Sequence, residues 1–396
     1  MIPNYAYRVS LLAMMAHAVG AEEAANAQKY TNYAVSGIKS LNDHWYNVKT
    51  GIWDDAWWNS GNALTTLADF ASLRLTEANK LNVGGYMRNT FVQAQKVNVK
   101  TAKFVNKAGM VSSVYCLDGS SGCMAKREFL GKRGFDDFIN DFYDDEGWWA
   151  LGWIRAYDVS GDDEYLGAAI DLFNDMQTGL GGPCGGGIYW SKDRQYVNAI
   201  ANELYLSVAA SLARRVPQNG TYKDIAVQQW DWFERSGMIN AQNLINDGLD
   251  GSCKNNGLQT WTYNQGVVLG GLAELFRATG DLKYVEKAVS IAQAAMKALS
   301  VNGILTETGG CDAAGDCGRD GAQFKGVFIR NLRYLNDVAP HQEFKDFIIQ
   351  NAKSIWAKDR TSDNQFGVSW AGPYYPAFGA TQSSALDALV AAVAVS

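Results

Sequence analysis

The sequence predicts an all-α protein, six helical hairpins closed into an (α/α)6 barrel within a single domain, and three observations predict it. A Gly/Asp/Trp-rich loop recurs along the chain, followed each time by a small-residue apolar helix, a polar turn and a second, amphipathic helix. The helices fall into two kinds by the placement of their apolar residues. Alternation of β-branched residues over strand-length windows is almost absent, so a sheet of any size is not expected.

The recurring loops are DDAWWNSGNAL from Asp54, DDEGWWALGWI from Asp144, GGGIYWSKDRQYVNAIANELYL from Gly185 and DGLDGSCKNNGLQTWTYNQGVVLGGL from Asp247. A fifth begins at Gly303 and continues into GAQFKGVFIRNL, and a sixth is FGVSWAGPYYPAFGATQSSALDAL from Phe366. From Asn202 to Asn264, Lys325 and Ser384 the interval stays at about 60 residues, two ordinary helices and two loops. Helices directly after the loops, such as Ala199 to Leu212 and Gln265 to Phe276, carry Gly, Ala, Leu and Val nearly all round, as inner helices must. Those that follow, such as Asp281 to Leu299 and Gln342 to Trp356, begin with a polar cap and show one apolar stripe opposite Lys and Glu, as outer helices do. Such a ring gathers its aromatic and acidic loops at one end, which makes a cleft.

A chain of 396 residues, 47% hydrophobic and 12% aromatic, buries a large core by itself. With six prolines and no low-complexity stretch it offers no interdomain linker. A formal charge of −6 without a Lys/Arg stripe argues against nucleic acid. Met1 to Arg8, the apolar run Val9 to Val19 and the small residues Val19-Gly20-Ala21 read as a secretory signal peptide over residues 1–21, with the catalytic domain over 22–396. The same run also fits a first core helix. No membrane span is expected, and the reading is of a monomer that is secreted, extracellular or in a cell wall.

The six cysteines follow the segment 1–21 and fit a disulfide framework. Short loops favour Cys116 with Cys123 and Cys311 with Cys317, leaving Cys184 with Cys253, one of the connectivities that six cysteines allow. Their spacing does not suit zinc, so no metal and no cofactor are expected. Asn219-Gly220-Thr221 is a glycosylation sequon.

Three histidines, His17, His44 and His341, leave Ser-His-Asp and Cys-His mechanisms poorly supported. Carboxylates remain, and glycoside hydrolysis needs only two of them. Asp162-Asp163 reads as a helix cap after Gly161. Asp136-Asp137 with Asp141 has the spacing of a metal-dependent cyclase, a poor fit to an exported chain. Asp54-Asp55 and Asp144-Asp145 each precede a Trp-Trp pair at the entrance to an inner helix. Asp144-Asp145 has the better physical case, because the helix dipole favours one ionised carboxylate while crowding by Trp148, Trp149 and the second acid favours a protonated one. Side chains diverging from consecutive residues stand about 5 Å apart, the separation of a retaining mechanism.

The runs DDEGWWALGWIRAYDVSGDDEYL, CGGGIYWSKDRQYVNAIANELYLSVAASL and DGLDGSCKNNGLQTWTYNQGVVLGGLAEL resemble glycoside hydrolase family 76, endo-acting α-1,6-mannanases that include fungal as well as bacterial members. The resemblance implies an (α/α)6 barrel and a retaining mechanism with Asp144 as nucleophile and Asp145 as acid/base. It points to the α-1,6-mannosidic backbone of yeast or fungal mannan as substrate. Trp57, Trp58, Trp148, Trp149, Trp190 and Tyr263 suit stacking on sugar rings, and Asn59, Asn62, Asn198, Asn202, Asn264 and Gln265 suit sugar hydroxyls. Asp247 and Asp250 fit an adjacent subsite, and GLGGPCGGG reads as a wall that lets backbone approach the sugar. Two alternatives stand beside hydrolysis: a cell-wall mannan transglycosidase of the same fold, and a non-catalytic mannan-binding protein. The C-terminal SSALDALVAAVAVS reads as the last inner helix rather than an anchor signal.

Overall fold

The computed structural model describes residues 4–105, 111–117 and 134–396, residues 4–23 by backbone alone. Helices that are apolar on every side collect at the centre, where no face meets water. They are α2 (Trp57–Leu73), α5 (Tyr143–Ser160), α7 (Ala199–Arg215), α9 (Thr262–Thr279), α11 (Gly318–Asn336) and α13 (Gly379–Val395). Each packs on the next in that order, and α13 packs back on α2 to close the ring. Small residues bring these helices close together. A Cβ on Gly266 would lie 2.6 Å from the Phe328 backbone, and one on Gly326 would lie 2.5 Å from Ser384.

The outer layer holds α1 (Asn4–Trp45), α4 (Val83–Ala94), α6 (Asp163–Gln177), α8 (Thr221–Arg235), α10 (Leu282–Ala298) and α12 (Gln342–Lys358), with a short α3 (Leu75–Lys80) before α4. Their starts follow the capping rule. Asp162 accepts from the Glu164 N–H at 3.0 Å and Asp281 from Lys283 at 3.1 Å, contacts that stabilise a helix start by about 1 kcal/mol each. Gly161, at φ 69°, ends α5 directly before the Asp162 cap, so Asp162-Asp163 is structural as expected. The expected leader, residues 1–21, lies where no side chain is described. Buried Tyr30, Ala34, Ile38 and Leu41 belong to α1, which packs on α13.

Three two-stranded ladders decorate the helices: β1 (Tyr46–Asn47) with β2 (Ile52–Trp53), β3 (Lys100–Val105) with β4 (Val111–Cys116), and β5 (Ser300–Val301) with β6 (Ile304–Leu305). The β3–β4 hairpin went unpredicted and matters most. Its register pairs Thr101 with Tyr115 and Lys103 with Ser113, so these four polar side chains share one face of the hairpin. Disulfides join Cys184 to Cys253 and Cys311 to Cys317, as expected, with Cα–Cα distances of 5.3 and 4.9 Å. Cys116 is disulfide-bonded, and Cys123 lies outside the described residues.

The C-terminal ends of the inner helices surround a cavity of about 470 Å³ lined by six arginines. Acids neutralise them from within: Arg155 pairs with Asp69 at 2.6 Å, Arg330 with Asp387 at 3.1 Å, and Arg215 with both Asp158 and Glu274. Cations at helix C-termini also oppose the dipoles converging there. This end is charged, and Trp148 lines both this cavity and the one at the opposite end.

Candidate active site

The first turn of α5 carries three acids, Asp144, Asp145 and Glu146, at the helix end where the dipole favours negative charge. One ammonium answers two of them. Lys103, reaching in from β3, donates to Asp144 Oδ1 and Oδ2 at 3.1 and 3.0 Å and to Asp145 Oδ1 at 2.7 Å. Because a single nitrogen touches both carboxylates, their nearest oxygens stand less than about 6 Å apart. Trp190 Nε1 donates to Asp144 Oδ2 at 3.0 Å, and Asn140 Nδ2 donates to Asp145 Oδ2.

The two acids differ in surroundings. Asp144 borders a cavity of about 120 Å³ with Trp58, Lys103, Trp148, Trp190, Tyr196, Asn198, Asp247, Tyr263, Asp320 and Phe324. Asp145 is wholly buried behind it, beneath Lys103. Burial pushes the Asp145 carboxyl up to about 7 against the pull of Lys103, with the charge on Asp144 adding to the rise. Burial alone would lower the Lys103 ammonium, yet Asp144, Asp145 and Asp320 hold it above its usual value, so it stays charged. Glu146 turns the other way: it pairs with Lys192 at 2.6 Å, and burial raises it well above the carboxylate range.

Two further acids, Asp320 and Asp247, line the mouth. Asp320, in the first turn of α11, accepts from Trp58 Nε1 at 3.0 Å and from Ser113 Oγ at 2.8 Å, and burial raises its pKa. Asp247 accepts from Tyr196 at 2.5 Å, and Asn256 Nδ2 in turn donates to the Tyr196 hydroxyl at 2.8 Å. Beyond Lys103, Trp190 and Tyr196 lies a second cavity of about 360 Å³, and a third of about 330 Å³ shares Gln195 and Tyr196 with it. The cavity beside Asp144 therefore adjoins further space along the rim.

Of the residues expected to bind sugar, Trp58, Trp148, Trp190, Asn198, Asp247 and Tyr263 line the cavity. Trp57 and Trp149 do not: they pack with Phe138 in the core, fully buried. Most of the expected amides tether loops and helices instead. Asn202 Oδ1 accepts from Ile188 N and its Nδ2 donates to Ile188 O, and Gln265 holds Ile245 in the same way. Asn59 donates to Gln323 at 2.6 Å, and Asn62 accepts from Arg330. Asn264 is buried in α9 with neither polar side-chain atom paired among the described residues. Asp250 shapes a turn by accepting from the Ser252 and Lys254 N–H groups.

The rival acid pairs also resolve. Asp54 accepts from the Gly379 N–H at 3.0 Å and from Arg319 at 3.1 Å, which joins α13 to the loop before α2. Asp136 and Asp137 are exposed on a turn. The glycine run differs from expectation: Gly186 and Gly187 make room for the Trp232 ring, 2.5 and 2.3 Å from where their Cβ atoms would stand, rather than for a ligand. Lys103, Asn140, Tyr196 and Asp320 were missed. The signal for Asp320 was present, since it opens an inner helix as Asp144 and Asp145 do.

The model of the family described as glycosyl hydrolase family 76 matches residues 124–395. The chain belongs to glycosyl hydrolase family 76. Within this family it is 27% identical over 275 residues to the mannan endo-1,6-alpha-mannosidase DFG5 of Candida albicans, covering 63% of this chain and 60% of the relative. It is 29% identical over 248 residues to DFG5 of Saccharomyces cerevisiae, covering 57% and 54%. The chain thus spans a little over half the length of these relatives. Among solved family 76 structures, an inactive variant of an α-1,6-mannanase from Salegentibacter sp. HEL1_6, in complex with α-1,6-mannotriose, superposes with a TM-score of 0.72 at 19% identity, covering 93% of this chain and all of the other. Dfg5 from Chaetomium thermophilum in complex with glucosamine superposes with a TM-score of 0.66 at 18% identity, covering 86% and 80%. These likenesses establish the fold as the family 76 helical barrel, in line with the ring predicted from sequence. Among the described residues no helix is long and apolar enough to cross a membrane.

Proposed function

We propose that this protein is a retaining, endo-acting glycoside hydrolase of α-1,6-mannosidic linkages, with Asp144 as nucleophile and Asp145 as acid/base. One observation carries the reading: two adjacent carboxylates share an ammonium, their oxygens under about 6 Å apart, one open to an aromatic-lined cavity and the other buried and raised to about 7. Retention needs that separation, because the nucleophile attacks directly and leaves no room for water between the acids. Asp144, accepting from an ammonium and an indole, has the donors of an ionised carboxylate. In the first step its oxygen bonds to C1 while the C1–O bond to the leaving sugar breaks and Asp145 protonates the departing oxygen. In the second, Asp145 takes a proton from water, the water oxygen bonds to C1, and Asp144 is released.

The substrate follows from family membership and from relatives named as mannan endo-1,6-alpha-mannosidases. The endo mode follows from the names of those relatives, and the rim cavities beyond Trp190 offer a chain room on one side of the acids. We further propose that the protein is secreted to the cell exterior or wall, in keeping with the disulfides. The test is release of reducing ends from linear α-1,6-mannan, with product lengths followed in the presence of excess mannooligosaccharide. Shorter oligosaccharides support hydrolysis, longer ones establish transglycosylation, and no change in the polymer overturns the enzyme reading.

A further inference from the structure

The reaction moves one negative charge between neighbours. Before attack Asp144 is ionised and Asp145 protonated; in the glycosyl-enzyme Asp144 is an ester and Asp145 is the anion; after hydrolysis the charge returns. At every stage one carboxylate charge sits in a desolvated pocket, where an unanswered ion is strongly unfavourable.

Lys103 is placed to answer it in both positions. Its ammonium lies 3.0 Å from Asp144 Oδ2 and 2.7 Å from Asp145 Oδ1, and its side chain is only 3% exposed. The rings of Phe142 and Trp190 stand 4.4 and 5.3 Å from the nitrogen, which fixes its height above the pair. The hairpin is anchored on the same face, where Ser113 donates to Asp320 and Asn140 donates to Thr101 at 3.2 Å. Among the described residues, the charged and titratable groups around the ammonium are Asp144 and Asp145 of α5, Asp320 of α11 and Tyr115 of β4, with Asp247 beyond Asp144. The nearby Lys192 is engaged with Glu146 and Asp175.

We propose that Lys103 is the positioning residue of the carboxylate pair, a cation that stays with the charge as it passes from Asp144 to Asp145 and back. This rests on the retaining reading given above. When the leaving oxygen arrives at Asp145 Oδ1, the ammonium yields that contact and keeps its two contacts to Asp144. Once Asp145 has given its proton and Asp144 has become an ester, the ammonium closes on Asp145.

The test compares Lys103→Gln, which keeps a hydrogen-bond donor and loses the charge, with Lys103→Arg, which keeps the charge. In Lys103→Gln, kcat falls roughly 100-fold and the basic limb of the pH profile of kcat/KM moves upward by about one unit, because Asp145 loses a neighbouring cation. In Lys103→Arg that limb stays within about half a unit of wild type, whatever the loss in rate. A folded Lys103→Gln protein with an unmoved basic limb overturns the proposal, even if it is slow, since a purely structural lysine alters amplitude alone. Should Lys103→Gln not fold, Lys103→Arg decides: a coincident basic limb supports the proposal and a displaced one overturns it. A wild-type protein inactive on α-1,6-mannan rejects the functional reading instead, so the two failures are distinguishable.

Discussion

Asn140 and Asp145 are locked together across the turn that enters α5. Asn140 Nδ2 donates to Asp145 Oδ2, while its Oδ1 accepts from the Phe142 N–H at 2.8 Å. Only the oxygen of an amide accepts, so the Phe142 contact fixes which end faces the acid. The bond lowers the pKa of Asp145 against the effect of burial. In Asn140→Ala the basic limb of kcat/KM is expected to move above its wild-type position by about half a unit to one unit, with activity falling roughly 10- to 100-fold. A pH profile of kcat/KM checks it, and an unmoved limb contradicts the role given to Asn140.

The wild-type profile has its own sign. As the proposed acid, Asp145 must carry its proton in the free enzyme, and burial sets its carboxyl at about 7. The ratio kcat/KM is therefore expected to decline as pH rises through about 7 with the slope of a single proton. Activity undiminished at pH 9 removes Asp145 as the acid.

Removing the acids one at a time separates their roles. Asp144→Ala and Asp145→Ala are each expected to lose about four orders of magnitude in turnover on mannan while keeping the fold. With an activated aryl α-mannoside and azide, Asp144→Ala is expected to give the β-mannosyl azide, since azide enters on the face the carboxylate left. Asp145→Ala still forms the glycosyl-enzyme and is expected to give the α-mannosyl azide. NMR of the products identifies the anomers, and exchanged anomers reverse the assignment.

Glu203 on α7 is fully buried, with neither carboxyl oxygen paired among the described residues. Burial raises it well above the carboxylate range, with Asp247 adding to the rise. The folded chain therefore binds this proton more tightly than the unfolded one. The resulting stability is complete below about pH 4.3 and is lost as pH climbs toward the raised value. Glu203→Gln removes that dependence. Its Tm relative to wild type is expected to be more favourable at pH 8 than at pH 5. Thermal melts at the two values test it, and a constant difference rules it out.

The ring was legible because its inner helices carry the whole pattern in local sequence. Ala199–Arg215 and Thr262–Thr279 lie within a few residues of where small and apolar residues placed them. The same repeat misled at the site. Amides recurring at the first turns of inner helices looked like sugar ligands, yet Asn202 and Gln265 hold the backbone of the preceding loop, a task each repeat must solve for itself. The β3–β4 hairpin escaped because its inward face, Thr101, Lys103, Ser113 and Tyr115, is polar, so hydrophobic alternation is absent where the strands are most buried. That Asp144 and Asp145 sit at a helix entrance was readable, and they do lie in the first turn of α5. That Lys103 answers them is a tertiary fact, joining positions about 40 residues apart that share no local pattern.

Trp148 stands between the two chambers of the barrel, the acid-lined one on one side and the arginine-lined one on the other. A substitution of that one indole therefore alters the walls of both chambers at once.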